Sequence, residues 1–330
     1  MQKRYFWGLV LGVTFFALCS SLGVAQEKYP SRQVEMVVPY SAGGTTSLLA
    51  RMYCDELTKD FKVPVVVVNR PGGGGIVGAT FVSRAKNDGY TLLQGMGDTH
   101  TLGPVTNPDV SYDPLKDFTP IAGIASMPLV FTVPNNSPLK TFAEMIDYAR
   151  KNPGKLRMGA TGLGGEAHLN LAIIGTKEKI DIVVVPFDGG APYTAAILGG
   201  HVDMAAGQLS PKSQVGPHIL AKALRGLAVT SKTRHPDFPD IPTMTELGYP
   251  DANINNWYAI FGPAGVPQSV VNTLFPAIQK VIKDPAIASQ MRQGGFLVDL
   301  KNQDELRSFV ETELKVLGKL CKDLGLAAKK

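Results

Sequence analysis

The sequence predicts an α/β protein with mainly parallel sheets flanked by helices, and three observations predict it. Short β-branched runs alternate with stretches of helical spacing along most of the chain. Four consecutive valines at 65–68 read as a strand buried on both faces of a parallel sheet. Glycine and proline, 35 and 24 of the 330 residues, gather where strands give way to helices. That length corresponds to about two domains of roughly 100–150 residues each, enough to bury a core without disulfide staples. A 44% hydrophobic and 18% charged composition excludes a disordered chain.

Taken in order, Val34–Val38 is the first strand, stopped by Pro39 and a glycine-rich loop. Leu48, Leu49, Met52, Tyr53, Leu57 and Phe61 then recur at helical spacing. Strand patterns follow at 65–68, 91–94, 129–133, 157–159, 182–185, 223–230 and 257–261. Helical patterns fall at 141–151, 167–174, Gln268–Lys283, Pro285–Gln293 and 304–324.

The first 25 residues stand apart. Lys3 and Arg4 precede an apolar run from Tyr5 to Leu18, and Gly23 and Ala25 sit at the −3 and −1 positions of a cleavage site. This is the pattern of a secretory signal peptide, and the run is shorter than a spanning helix requires. Removing 1–25 lowers the formal charge from +5 to +3 and leaves Trp257, Cys54 and Cys321 as the remaining Trp and Cys. So slight and dispersed a positive charge predicts no nucleic-acid partner and no membrane surface. Cys54 and Cys321 either pair in an oxidising compartment or are separately buried; spacing leaves both open.

One unit occurs twice. A strand, the loop Ala42-Gly43-Gly44-Thr45-Thr46 and a helix are echoed by a strand, the loop Thr161-Gly162-Leu163-Gly164-Gly165 and a helix. Free N–H groups and the helix dipole make such termini anion sites, and ligands of open α/β sheets sit beyond the carboxyl ends of strands. Two such loops could clamp one small anion. Either loop alone is equally a device for close helix–strand packing.

Other chemistries are poorly served. Gly72-Gly73-Gly74-Gly75-Ile76-Val77-Gly78 contains G-x-G-x-x-G, but Asn69-Arg70-Pro71 separates it from its strand and no acid stands where a ribose would need one. Ser41 lacks the glycine of a nucleophile elbow. The five histidines show no metal-ligand spacing, although His100 and His168 follow glycine-containing loops and are candidates to line a cleft. No acid–base pair presents itself, so no enzyme, metal or cofactor is expected.

From Tyr29 to the C-terminus the chain resembles the Bug-type solute receptors of tripartite tricarboxylate transport systems, the TctC family. The pieces that carry the resemblance are Val37-Val38-Pro39-Tyr40-Ser41-Ala42-Gly43-Gly44, Val68-Asn69-Arg70-Pro71-Gly72, Asp88-Gly89-Tyr90-Thr91-Leu92-Leu93 and Thr99-His100. Further on come Gly162-x-Gly164 with His168-Leu169, Val185-Pro186-Phe187, Leu227-Ala228-Val229-Thr230-Ser231 and Gly262-Pro263-Ala264-Gly265. The resemblance implies a two-domain periplasmic-binding-protein fold (type II-like) with a ligand cleft between domains. The first domain would comprise 26–126 and 256–330, the second 127–255, hinged near 126–128 and 255–257.

By the same match, Tyr40, Ala42, Gly43, Gly44, Thr45 and Thr46 would hold one carboxylate, and Ser47 and Thr99 are further ligand-binding candidates. Thr161, Gly162, Gly164, His168, Phe187, Gly189 and Gly190 would meet the other side of the ligand. The function implied is a periplasmic monomer that captures a small mono- or dicarboxylate, aromatic ones included, and delivers it to membrane permease subunits. The alternative is a ligand-loaded sensor subunit that signals to a receptor kinase. Some positions depart from the family. Ser47 stands where many members carry Asp, which implies a plain carboxylate rather than an amino acid. Asp188 replaces a common Lys, and Glu166 replaces a small hydroxyl residue where it would repel a carboxylate unless turned to solvent.

Overall fold

The architecture was obtained as a computed structural model that describes residues 29–40, 42–43, 45–161, 163–187 and 190–328. The expected leader, 1–25, lies outside the described residues. Among them, no helix is long and apolar enough to cross a membrane.

The chain begins with β1 (Val34–Val38), α1 (Thr45–Phe61), β2 (Val65–Asn69), α2 (Ile76–Ser83) and β3 (Thr91–Met96). Two short helices, α3 (Gly97–His100) and α4 (Leu102–Thr106), lead to β4 (Phe118–Met127). Then come β5 (Leu129–Pro134), α5 (Phe142–Lys151), β6 (Arg157–Thr161), α6 (Glu166–Glu178), β7 (Val183–Phe187), α7 (Gly190–Leu198), β8 (Met204–Gln208), α8 (Gly216–Leu220) and β9 (Leu224–Val229). The last part holds β10 (Asn256–Pro263), α9 (Gln268–Lys283), α10 (Pro285–Gln293), β11 (Leu297–Lys301) and α11 (Gln303–Asp323).

The strands form a six-stranded sheet, β11-β4-β10-β3-β1-β2, and a five-stranded sheet, β7-β6-β8-β5-β9, both within the compact unit Arg32–Lys330. The chain steps from the first sheet to the second across Pro128 and returns between β9 and β10. The first sheet is thus drawn from both ends of the chain and the second from its middle.

Two expectations are corrected. The sheets are mixed: four pairings are parallel and five antiparallel. Every antiparallel pairing involves β4, β5 or β10, the strands on either side of the crossovers. The valine run is not buried on both faces either. β2 is an edge strand, and Val66 is 38% exposed.

Packing follows from alternation along the strands. In β5, Leu129, Phe131 and Val133 enter a core with Met145, Met158 and Met204, while Val130 faces a second core with Tyr193, Ile197 and Val229. The first sheet packs Leu93, Phe118, Trp257 and Phe261 against Val310 of α11. A fourth cluster joins Leu102, Leu169, Ile254, Leu317 and Cys321, so α4, α6, the returning crossover and α11 meet in one apolar joint. Three helices start where side chains satisfy their free N–H groups. Thr141 and Glu144 form a capping box at α5, Asn302 and Glu305 one at α11, and Asp284 caps α10.

Cys54 of α1 and Cys321 of α11 are both buried and free, which settles the pairing left open by their spacing.

Candidate functional site

The loop after β1 is built by Asn69, at the end of the neighbouring strand. Its side-chain N–H group donates to the Tyr40 carbonyl at 2.7 Å and to Ser47 Oγ at 3.1 Å, tying the loop to the first turn of α1. Ala42 and Gly43 stand exposed above this anchor, Gly43 with φ +85°. Thr46 and Ser47 are buried beneath it. The first turn of α1 contains no acid, so its free N–H groups are open to an anion. Thr45 opens that helix, and Gly44 lies outside the described residues.

Tyr40 leaves the same loop and crosses to two others. Its hydroxyl donates to Asp98 Oδ2 at 2.9 Å and also lies 3.1 Å from the Gly74 carbonyl oxygen. The glycine run is what allows this approach: Gly72, Gly73, Gly74 and Gly75 all have positive φ. A Cβ on Gly75 would meet Thr99 at 2.9 Å and the Tyr40 hydroxyl at 3.1 Å. Gly78 packs on Pro39 and the Arg70 carbonyl, closer than a Cβ would permit. The G-x-G-x-x-G run therefore serves backbone packing around Tyr40.

Thr99 is fully buried, and its hydroxyl is engaged with the Met96 backbone, so it holds the α3 turn that presents Asp98. His100 is corrected as a cleft candidate. It stacks on Phe261 at 3.8 Å in the aromatic core, and burial lowers its pKa to about 3.

In the second sheet, β6 ends at Thr161, Gly162 is outside the described residues, and Leu163 projects with 61% exposure. Gly164 has φ +82°, and its N–H donates to His168 Nδ1 at 2.9 Å. His168 thereby straps the loop to its own helix and carries its proton on Nε2; burial lowers its pKa. Gly190 opens α7 after β7, close enough to Gln214 that a Cβ would come within 2.4 Å. Phe187 is half-buried against the second core, and Gly189 lies outside the described residues.

Gly73, Gly74, Asp98, Leu163, Gly164 and Gly165 line one cavity of about 540 Å³, together with Leu326 from beyond α11. Loops of both sheets thus face one space, lined among the expected site residues by Gly164; among the described residues, the Tyr40–Ser47 loop, Phe187 and Gly190 do not line it.

The electrostatics bring out residues that the motif reading did not select. Glu166 has not turned to solvent: burial, the nearby Asp98 and then Glu313 raise its pKa to about 7. Burial raises Asp98 as well, against the hydrogen bond from Tyr40. Glu313 is raised by burial and accepts from Trp257 Nε1 at 2.7 Å and Thr101 Oγ1 at 2.9 Å. Asp98 was legible as the residue between Gly97 and Thr99-His100; Glu313, on a surface-patterned helix, had no such signal.

The model of the tripartite tricarboxylate transporter family receptor matches residues 49–326. The chain belongs to that family. Among relatives of the receptor, the "UPF0065 protein in tcbD-tcbE intergenic region" of Pseudomonas sp. (strain P51) is 33% identical over 89% of this chain and 86% of its own. Of the solved structures, R. palustris Rpa4515 with adipate superposes with TM-score 0.75 at 31% identity, covering 91% of this chain and 99% of that one. MatC (Rpa3494) from Rhodopseudomonas palustris with bound malate gives TM-score 0.69 at 28% identity, covering 88% and 99%. The receptor is therefore a solute-binding protein of the tripartite tricarboxylate type, and its family is one of binding proteins rather than enzymes.

Proposed function

We propose that the protein captures a small carboxylate in the cleft between its two sheets and delivers it, in the periplasm, to membrane permease subunits of a tripartite tricarboxylate-type transporter. The observation that carries this reading is one cavity lined by Asp98, to which the Tyr40 hydroxyl is bonded, and by the Gly164–Gly165 loop of the other sheet. The Tyr40–Thr46 and Gly164–Gly165 loops each lead into a helix N-terminus, where backbone N–H groups favour negative charge. Adipate and malate in the related structures are the right class of molecule for such a pair.

In this reading the ligand-binding residues are those of the two loops, with Phe187 and the α7 start closing the side. The lobes, 26–126 with 256–330 and 127–255, close about the two crossovers. A ligand touching both lobes favours the closed state because only there does it make both sets of contacts.

The test uses protein stripped of retained ligand. Titration with mono-, di- and aromatic carboxylates should give saturable Trp257 fluorescence changes and a thermal upshift for at least one acid. A ligand at a hundred times its Kd stabilises by about 2.7 kcal/mol. Silence across the whole panel by both readouts overturns the reading.

A further inference from the structure

One wall of the cavity comes from a part of the chain that no motif marked. Leu326, beyond α11, lines it together with Gly73, Gly74 and Asp98 of the first sheet's loops and Leu163 and Gly164 of the second's. A hydrogen-bonded turn sets that side chain in place. Gly325 takes φ +69°, its N–H donates to the Lys322 carbonyl at 3.1 Å, and the Leu326 N–H donates to the Cys321 carbonyl at 2.7 Å. This pair of bonds is the Schellman closure of a helix, in which the residue after the glycine packs back on the last turn. Leu326 does so, against the cluster of Leu102, Leu169, Ile254, Leu317 and Cys321.

A second anchor lies two residues further on. The Ala328 N–H donates to the Val105 carbonyl at 2.8 Å, and Val105 belongs to α4, whose Leu102, Gly103 and Thr106 line the same cavity. Backbone bonds therefore hold the 325–328 strap on both sides of the Leu326 side chain. The cavity it borders is divided in character. Ile76, Leu102, Pro108, Leu163 and Leu326 give it apolar surface. Among the described residues, no Lys, Arg or His lines it, and the carboxylate of Asp98 accepts from the Tyr40 hydroxyl. An anionic head held by loop N–H groups leaves the body of the solute against hydrocarbon.

We propose that Leu326 is a specificity-determining wall of the ligand site: it packs on the apolar body of a carboxylate held by the glycine loops and sets how long that body can be. The inference rests on the function proposed above and deepens it, since the solute is then an amphipathic acid with a hydrocarbon or aromatic body rather than a compact polyanion. Leu163, 61% exposed, is the apolar surface that the second sheet brings to the same solute. Because the strap is bonded to α4 and packed on the cluster that includes Leu169 of α6, a solute that fills the space against Leu326 also bears on the joint between the lobes.

The experiment is isothermal titration of the purified protein, stripped of retained ligand, with butyrate, hexanoate, octanoate and benzoate, and with succinate as a compact dianion. Wild type is compared with Leu326→Ala and Leu326→Trp, each checked for folding by its thermal melt. Leu220→Ala, at an exposed apolar position on α8 outside the cavity, is the control. The inference expects at least one monocarboxylate to bind wild type more tightly than succinate. Each buried methylene is worth about fourfold in affinity. Leu326→Ala should therefore shift the octanoate-to-butyrate affinity ratio by about fourfold or more toward the longer acid, and Leu326→Trp by as much toward the shorter. The control should keep the wild-type ratio. Hydrogen exchange on wild type needs no variant: the bound acid should slow exchange in the 325–328 segment.

A smaller shift in the folded variants, or an equal loss for every acid, overturns the wall and leaves the carboxylate receptor standing. So does a wild type that prefers succinate to every monocarboxylate. Where a variant fails to fold, exchange in 325–328 that a bound acid leaves unchanged overturns the wall in its place. A wild type that binds no acid overturns both.

Discussion

Asn170 exchanges two hydrogen bonds with Ile254. Its amide N–H donates to the Ile254 carbonyl at 2.7 Å, and its amide oxygen accepts from the Ile254 N–H at 2.9 Å. The partners lie 84 residues apart, one on α6 and one on the crossover back to the first sheet. The same side chain donates to the Glu166 carbonyl at 2.8 Å, so the start of α6 and the crossover back to the first sheet share one support. Thr230 plays a similar part on the other side, bonding Leu129 and Asn255 and so tying both crossovers together.

Asn170→Ala should therefore cost about 2–4 kcal/mol, because it strands buried backbone groups that water cannot reach. Urea unfolding checks this. A loss below about 0.5 kcal/mol would show that the clamp is dispensable.

Gly75→Ala should weaken ligand binding and lower stability together. The substitution places a methyl group against Thr99 and the Tyr40 hydroxyl at a φ of +97°. The backbone strain alone is worth about 1–3 kcal/mol. Binding unchanged in a folded Gly75→Ala protein would remove Tyr40 from the site.

The pH dependence of stability has a defined sign. Glu166, raised to about 7, has a higher pKa folded than unfolded, so the folded state prefers the protonated form. Its favourable contribution is present in acid and is lost as pH climbs from the ordinary glutamate range, about 4.3, to about 7. Ligand-free protein should melt at a lower temperature at about pH 8 than at about pH 6, and Glu166→Gln should reduce that difference. Melts by circular dichroism decide it; an unchanged difference in the variant contradicts the burial of this carboxyl.

The two cysteines give a chemical check on the packing. Both are buried, and burial raises both thiol pKa values, which suppresses the reactive thiolate. Alkylating reagents should leave both unmodified in the native protein and modify both after denaturation. Reductant should not change the melting temperature, whereas a reductant-dependent drop would reveal a disulfide.

Much of the fold was legible because its signals are local. Gln268–Lys283 and Pro285–Gln293 form helices with the expected bounds, set by apolar spacing and by Asp284 with Pro285 at the junction. β4 was missed, although it is ten residues long and almost wholly buried, because Pro120, Gly123 and three alanine or serine positions erase the β-branched signature. Its strand character comes from pairing with β10 and β11 on either side, a relation no local window contains.

The site was legible to the same degree. The loops around Gly43 and Gly164 could be read from strand–glycine–helix punctuation. The facing of Asp98 and Gly164 could not, since only the meeting of two sheets brings them to one cavity. His100 shows the opposite limit, in that adjacency to a glycine loop suggested a cleft while aromatic packing put it in the core.

The most direct test of the central claim is native mass spectrometry of the protein purified from the periplasm, followed by identification of whatever it has retained. The account predicts one small carboxylic acid per chain, released by mild denaturation and able to rebind the stripped protein. A retained ligand without a carboxylate, or a stripped protein that rebinds no acid from the extract, would contradict it.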